Sequence, residues 1–162
     1  MTSASNLRNA AFAQAAADLG YDFDGPIKIG GNYVPYVVNG GEVYVSGQIP
    51  RVGDKVVVTG RAGADVPLPQ AQLAAKVCAM RALALLRQAV GGDLARVKKV
   101  LRISVFIQCA PDFTQQSEVS DGASEVLYAV LGDSGVHTRT SVGVYQLPKN
   151  ATVELDLVAV VA

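Results

Sequence analysis

Residues 71–90, AQLAAKVCAMRALALLRQAV, constrain this chain more than any other stretch. They are strong helix formers, and Gly91-Gly92 follows as a stop. Lys76, Arg81 and Arg87 are the only charges in the run, too few to solvate most of a helix circumference. Such a helix needs a sheet beneath it and a second element beside it. With half of the residues apolar and 17% charged, the composition excludes a disordered chain and leans toward surface that other subunits cover.

The elements that can cover this helix are legible on either side. Leu7, Ala11, Phe12, Ala15 and Leu19 recur at helical spacing and Gly20 ends them, which predicts a short docking helix. Gly25-Pro26 and Gly30-Gly31 mark a loop. Residues 33–38 and 42–46 then flank Asn39-Gly40-Gly41 as a β-hairpin, and residues 55–60 read as a third strand. Beyond the central helix come a β-branched strand over 97–108, a turn at Pro111-Asp112 and a second helix over about 113–131. Two more strands, 139–146 and 152–161, are joined by Leu147-Pro148-Lys149-Asn150, residues suited to a turn. The expected fold class is α+β, a mixed sheet with two helices packed on one face plus a short N-terminal helix. The 162 residues fit one domain, residues 1–27 forming an N-terminal helix and loop extension.

Alternation in the last strand places Val153, Leu155, Leu157 and Ala159 on one face and Glu154, Asp156 and Val158 on the other. The apolar row should meet the helices. Two carboxylates on the remaining face require water, a cation or an arginine. The same period aligns Arg139, Ser141, Gly143 and Tyr145 in the preceding strand. Taking 147–150 as a tight turn pairs Gln146 with Ala151, so that Ser141 lies opposite Asp156 and Gly143 opposite Glu154. Arg139 is then diagonal to Asp156. Contact between Arg139 and Glu154 inside one chain is not assured, and a pocket shared with a neighbouring chain stays open.

Fourteen basic side chains balance fourteen acidic ones, so no global field steers the chain toward phosphate backbones, which disfavours nucleic acid as a partner. The basic stretch Arg96, Lys98, Lys99 and Arg102 reads as a solvated edge. Cys78 and Cys109 lie in apolar segments and form no disulfide framework, which fits a cytoplasmic protein. His137, the single histidine, reads as a solvated loop residue, and with two distant cysteines it cannot build a zinc site. The glycine pairs lack the lysine and hydroxyl residue of a phosphate loop, and GRAGAD is no dinucleotide fingerprint. No apolar run approaches a membrane span, and Asn6, Arg8, Asn9 and Gln14 interrupt any signal-peptide core.

Two stretches resemble the RidA, or YjgF-like, family: residues 33–50, with YVSGQIP at their end, and residues 139–159, RTSVGVYQLPKNATVELDLVA. The resemblance implies a chorismate-mutase-like fold and a homotrimer with three clefts between subunits. It also implies an enamine/imine deaminase that hydrolyses reactive 2-imino acids to 2-keto acids and ammonia with no cofactor or metal. Arg139 matches the arginine that grips the substrate carboxylate, and Glu154 matches the acid that orients the attacking water. Tyr33 and Ser46 match a cleft tyrosine and serine, and Ser141 stands where many members carry cysteine, a position used through its backbone N–H. The chain departs from the family pattern in having His137-Thr138 before the arginine, a longer second helix, and Asp156 in place of a glutamate. A carboxylate-binding module without turnover is the second reading. RNA cleavage, from the endoribonuclease label attached to relatives, is a third, and the neutral charge and lone histidine speak against it.

Overall fold

The computed structural model describes residues 3–162. Its elements are helix α1 (Ala4–Leu19), strands β1 (Tyr36–Asn39), β2 (Glu42–Gln48), β3 (Arg51–Val52) and β4 (Lys55–Val56), helix α2 (Leu68–Ala89), strand β5 (Val97–Gln108), helix α3 (Gln116–Leu131), and strands β6 (Thr138–Val144) and β7 (Val153–Val161). The α+β class, with helices on one face of a mixed sheet, is the one expected. Strand β1 starts three residues later than the apolar pattern suggests because Pro35 has no N–H to give a ladder.

The five-stranded sheet runs β1-β2-β7-β5-β6, and here the expected register is wrong. Strands β6 and β7 are not neighbours. Strand β5 lies between them, parallel to β6 and antiparallel to β7. The cause is the burial of β5, whose inward row Val100, Ile103, Val105 and Ile107 is almost fully enclosed and needs a partner on both sides. The Leu-Pro turn therefore crosses the end of β5 instead of closing a hairpin. Gln108, the last residue of β5, secures this crossing: its Oε1 accepts from Leu147 N at 2.8 Å and its Nε2 donates to Asn150 Oδ1 at 2.8 Å. Lys149 and Asn150 adopt φ of 60° and 57° to complete the crossing.

The third strand expected over 55–60 also needs correction. Only Lys55–Val56 is extended, and it pairs with Arg51–Val52 in a separate two-stranded hairpin. Gly53, at φ 60°, makes the turn between these two short strands, and Thr59 meets the segment before β7 only through an isolated bridge to Ala151.

Helix α2 is covered on both sides, as its composition demands. Its residues Ala74, Val77, Cys78, Met80, Leu83 and Leu86 are buried together with Val43, Val45, Leu155, Leu157 and Ala159 of the sheet and Val119, Ala123 and Leu127 of α3. Burial without an effective counter-charge pushes the Cys78 thiol far up, so it is inert packing. The two helices touch backbone to backbone at Gly122, where an added Cβ would lie 2.5 Å from Gln72 O. Gln72 Nε2 donates to Glu118 O at 2.9 Å across the same seam. Helix α1 docks through buried Phe12 and through Arg8, which donates to Leu94 O at 3.0 Å and Val97 O at 2.7 Å.

Candidate functional site

Because β5 separates β6 from β7, the two polar rows emerge on opposite sides of the sheet. Arg139 shares its row with Ile103 and Leu157, residues buried under the helices. Glu154 shares its row with Phe106 and Val142, on the face the helices leave uncovered. The expected common face for Arg139 and Glu154 does not exist within one chain.

Arg139 turns toward α3. Its Nη1 donates to Asp121 Oδ1 at 2.9 Å and to Ser124 Oγ at 2.9 Å, and its Nη2 reaches Ser117 O and Oγ, both at 3.2 Å. Ser117, Asp121 and Ser124 lie four and then three residues apart on α3, one helix face. The guanidinium opens on a recess of about 450 Å³ shared with Glu125, Tyr128 and His137. His137 is not the solvated loop residue expected. It is half-buried, stacks on Tyr128 at 5.5 Å between ring centroids, and has Nε2 2.9 Å from Ser124 Oγ. Burial, with the nearby Arg139 and Lys99 charges adding to it against the Gly135 hydrogen bond, lowers its proton affinity. Ser141, two residues beyond Arg139 on the same side, has a buried Oγ without a partner.

Glu154 lines a different cavity, of about 220 Å³, with Tyr33, Gly47, Arg51, Arg81 and Lys149 among its walls. The SGQ residues of β2 have three separate duties there. Ser46 Oγ donates to Val34 O at 2.7 Å and so pins the segment that presents Tyr33. Gly47 leaves room for Glu154, whose carboxylate a Cβ would overlap. Gln48 accepts from Arg81 Nε at 3.1 Å, and Arg81 also donates to Arg51 O at 2.5 Å and Lys28 O at 3.0 Å. Arg81 is 5% exposed and ties β2, β3 and the Lys28 loop to α2 through these oxygens. Tyr33 itself is half exposed at the cavity mouth.

Burial, with the Asp156 charge adding to it, raises the proton affinity of Glu154 above the ordinary carboxyl value of 4.5. The folded chain therefore penalises the ionised form. Below about pH 4.5 the group is protonated folded or unfolded and nothing is lost; stability falls as pH rises through the folded-state value. Glu154→Gln is accordingly expected to raise the melting temperature at about pH 7.5 and to leave it unchanged at about pH 3.5. Thermal melts of both proteins at the two pH values check this, and an equal shift at both would contradict it.

Sequence reasoning missed Asp121, Ser124, Gln48 and Arg81. The first two sit in a helix whose first turns look solvated, and no local pattern ties them to a strand residue fifteen or more positions later. Among the described residues no three His, Cys, Asp or Glu side chains gather as a metal site, and no helix is long and apolar enough to cross a membrane.

Known proteins match this arrangement over most of its length. Protein TCP17 of Trypanosoma cruzi is 43% identical over 126 residues, covering 77% of this chain and 78% of TCP17. The crystal structure of Atu1372 from Agrobacterium tumefaciens, a protein of unknown function, superposes with a TM-score of 0.85 at 36% identity, covering 96% of this chain and 95% of that one. Escherichia coli TdcF, solved with bound serine, shares the fold at 23% identity with a TM-score of 0.62, over 87% of this chain and 96% of its own. A family model described as "YjgF/chorismate mutase-like, putative endoribonuclease" matches residues 16–161. A match of that extent makes this chain a member of the YjgF/chorismate mutase-like family.

Proposed function

We propose that the protein hydrolyses 2-imino acids to 2-keto acids and ammonia in clefts between copies of the chain. The observation that carries this reading is the position of Arg139 on β6, the outermost strand of the sheet, with a recess before it. A guanidinium there can hold a small carboxylate through two charge-assisted hydrogen bonds. Hydrolysis then needs a water aligned on an already electrophilic carbon, and a carboxylate of raised proton affinity suits that task. Glu154 has that property. Since Arg139 and Glu154 occupy opposite faces of one sheet, a cleft that uses both takes them from different copies, Tyr33 and Ser46 lying on the Glu154 side and Ser141 on the Arg139 side.

The uncovered sheet face supports the assembly. Val37, Tyr44 and Val142 are each at least 40% exposed, and all three point away from the helices. Exposed apolar side chains on one sheet face favour contact with another protein surface. The homotrimer is expected to elute with a mass near three times 16.8 kDa by light scattering, and a monomer at micromolar concentration would remove the cleft.

The activity is tested by generating the imine in place from a pyridoxal-phosphate-dependent dehydratase and its amino acid. Ammonia is expected to appear faster with the protein than with buffer alone. A rate equal to buffer, with saturable 2-oxobutyrate binding, would point instead to a binding module. Asp121 now occupies the guanidinium and must yield to an incoming carboxylate. Asp121→Asn is therefore expected to tighten 2-oxobutyrate binding several-fold by calorimetry, and weaker binding would assign Asp121 to ligand recognition.

A further inference from the structure

With His137 neutral, the hydrogen bonds around Ser124 admit one consistent placement of protons. Arg139 Nη1 donates to Ser124 Oγ at 2.9 Å, and a guanidinium cannot accept in return. The hydroxyl hydrogen is therefore available to His137 Nε2, 2.9 Å away. His137 Nδ1 lies 2.6 Å from Gly135 O, a carbonyl that only accepts, so Nδ1 carries the ring proton and Nε2 presents its lone pair to the serine. Stacking on Tyr128 fixes the ring plane. A hydroxyl, a neutral imidazole oriented by a third group, and a cation against the same oxygen together meet the geometric conditions for an activated nucleophile.

We propose that Ser124 and His137 form an acyl-hydrolase centre for small uncharged esters. Ser124 Oγ attacks the ester carbonyl carbon while its proton passes to His137 Nε2. The carbonyl oxygen becomes an oxyanion that takes a hydrogen bond from Arg139, in the manner of an oxyanion hole. As the intermediate collapses, the bond to the alkoxy group breaks and that oxygen takes the proton from Nε2, leaving an acyl-serine and a free alcohol. Water, its proton taken by the same nitrogen, then attacks the acyl carbon; the acyl–Oγ bond breaks, Oγ takes the proton back from Nε2, and the carboxylic acid leaves. No oxidant, reductant or cofactor enters the balance.

The recess selects the substrate class. A neutral ester enters this recess without displacing Asp121 from Arg139, as an anion must, and the exposed ring of Tyr128 gives a short acyl chain an apolar wall. A volume of about 450 Å³ suits a small molecule. The proposal does not rest on imine hydrolysis, because covalent labelling reads the Ser124 hydroxyl directly and needs no imine turnover, so the two readings fail in separate assays.

The test uses an alkyl fluorophosphonate, which phosphonylates activated serines, with intact mass and peptide mapping, alongside hydrolysis of p-nitrophenyl acetate. The wild-type protein is expected to gain one adduct, on Ser124. Ser124→Ala is expected to gain none, and His137→Gln to react about 100-fold more slowly, the scale of a lost general base. Failure of the folded wild-type protein to label at Ser124, or an adduct only elsewhere, overturns the proposal without recourse to any variant. A His137→Gln protein that melts like wild type and labels at the wild-type rate overturns the role of the imidazole.

Discussion

Arg139→Ala is expected to lower kcat/KM for in-situ generated imino acid by about 100-fold or more. Two charge-assisted hydrogen bonds to a carboxylate contribute about 3 kcal/mol at the low end of their range, and each 1.36 kcal/mol is a factor of ten. The substitution also removes the partner of Asp121, two hydrogen bonds from Nη2 to Ser117 and one from Nη1 to Ser124; all but the last lie close to solvent, so folding should change little. Arg139→Lys separates charge from geometry: an ammonium restores attraction but not the planar fork, and a recovery of less than tenfold is expected. Steady-state ammonia release by the three proteins, with thermal melts as control, checks the result. An Arg139→Ala protein as active as wild type would end the carboxylate-clamp reading.

Gly122→Val is expected to be the most damaging single substitution outside the site. Helix propensity alone would favour alanine over this glycine by about 1 kcal/mol, and valine by less. The Cβ would sit 2.5 Å from Gln72 O, however, and that oxygen belongs to the backbone of α2, which cannot swing aside as a side chain would. The helices must part. Overpacking of a closed core costs roughly 3 kcal/mol when bulky groups are forced in, a drop in melting temperature of about 6–12 °C for a chain of this size. Differential scanning calorimetry measures it, and Gly122→Ala should fall between wild type and valine. A stabilised alanine variant would mean that propensity outweighs the contact.

How far the sequence carries differs between elements. Helix α2 was legible because its scarcity of charge is a statement about burial, and the 36–48 hairpin because Asn39-Gly40-Gly41 dictates its turn. The motif SGQ was visible, although its physical duties were not: they concern Val34, Glu154 and Arg81, residues brought near only by the completed fold. The order of β5, β6 and β7 was misread for a related reason. A four-residue Leu-Pro connection between two strands has the local signature of a hairpin, and nothing within those residues reveals that a third strand, bound at its end by Gln108, has taken the place between. That one insertion moved Arg139 and Glu154 to opposite faces. Likewise, the polar residues of α3 resembled a solvated first turn until the edge strand supplied the arginine they hold.

The oxygen atoms that α3 offers to Arg139 have an energetic consequence for whatever binds there. A free arginine side chain carries about 2 kcal/mol of rotamer entropy, which a ligand ordinarily has to quench on arrival. Here Ser117, Asp121 and Ser124 have frozen the chain in advance, so the folding of the helix has already met that cost and an incoming anion need only exchange partners. Association should then be governed by competition among acceptors rather than by ordering of the protein.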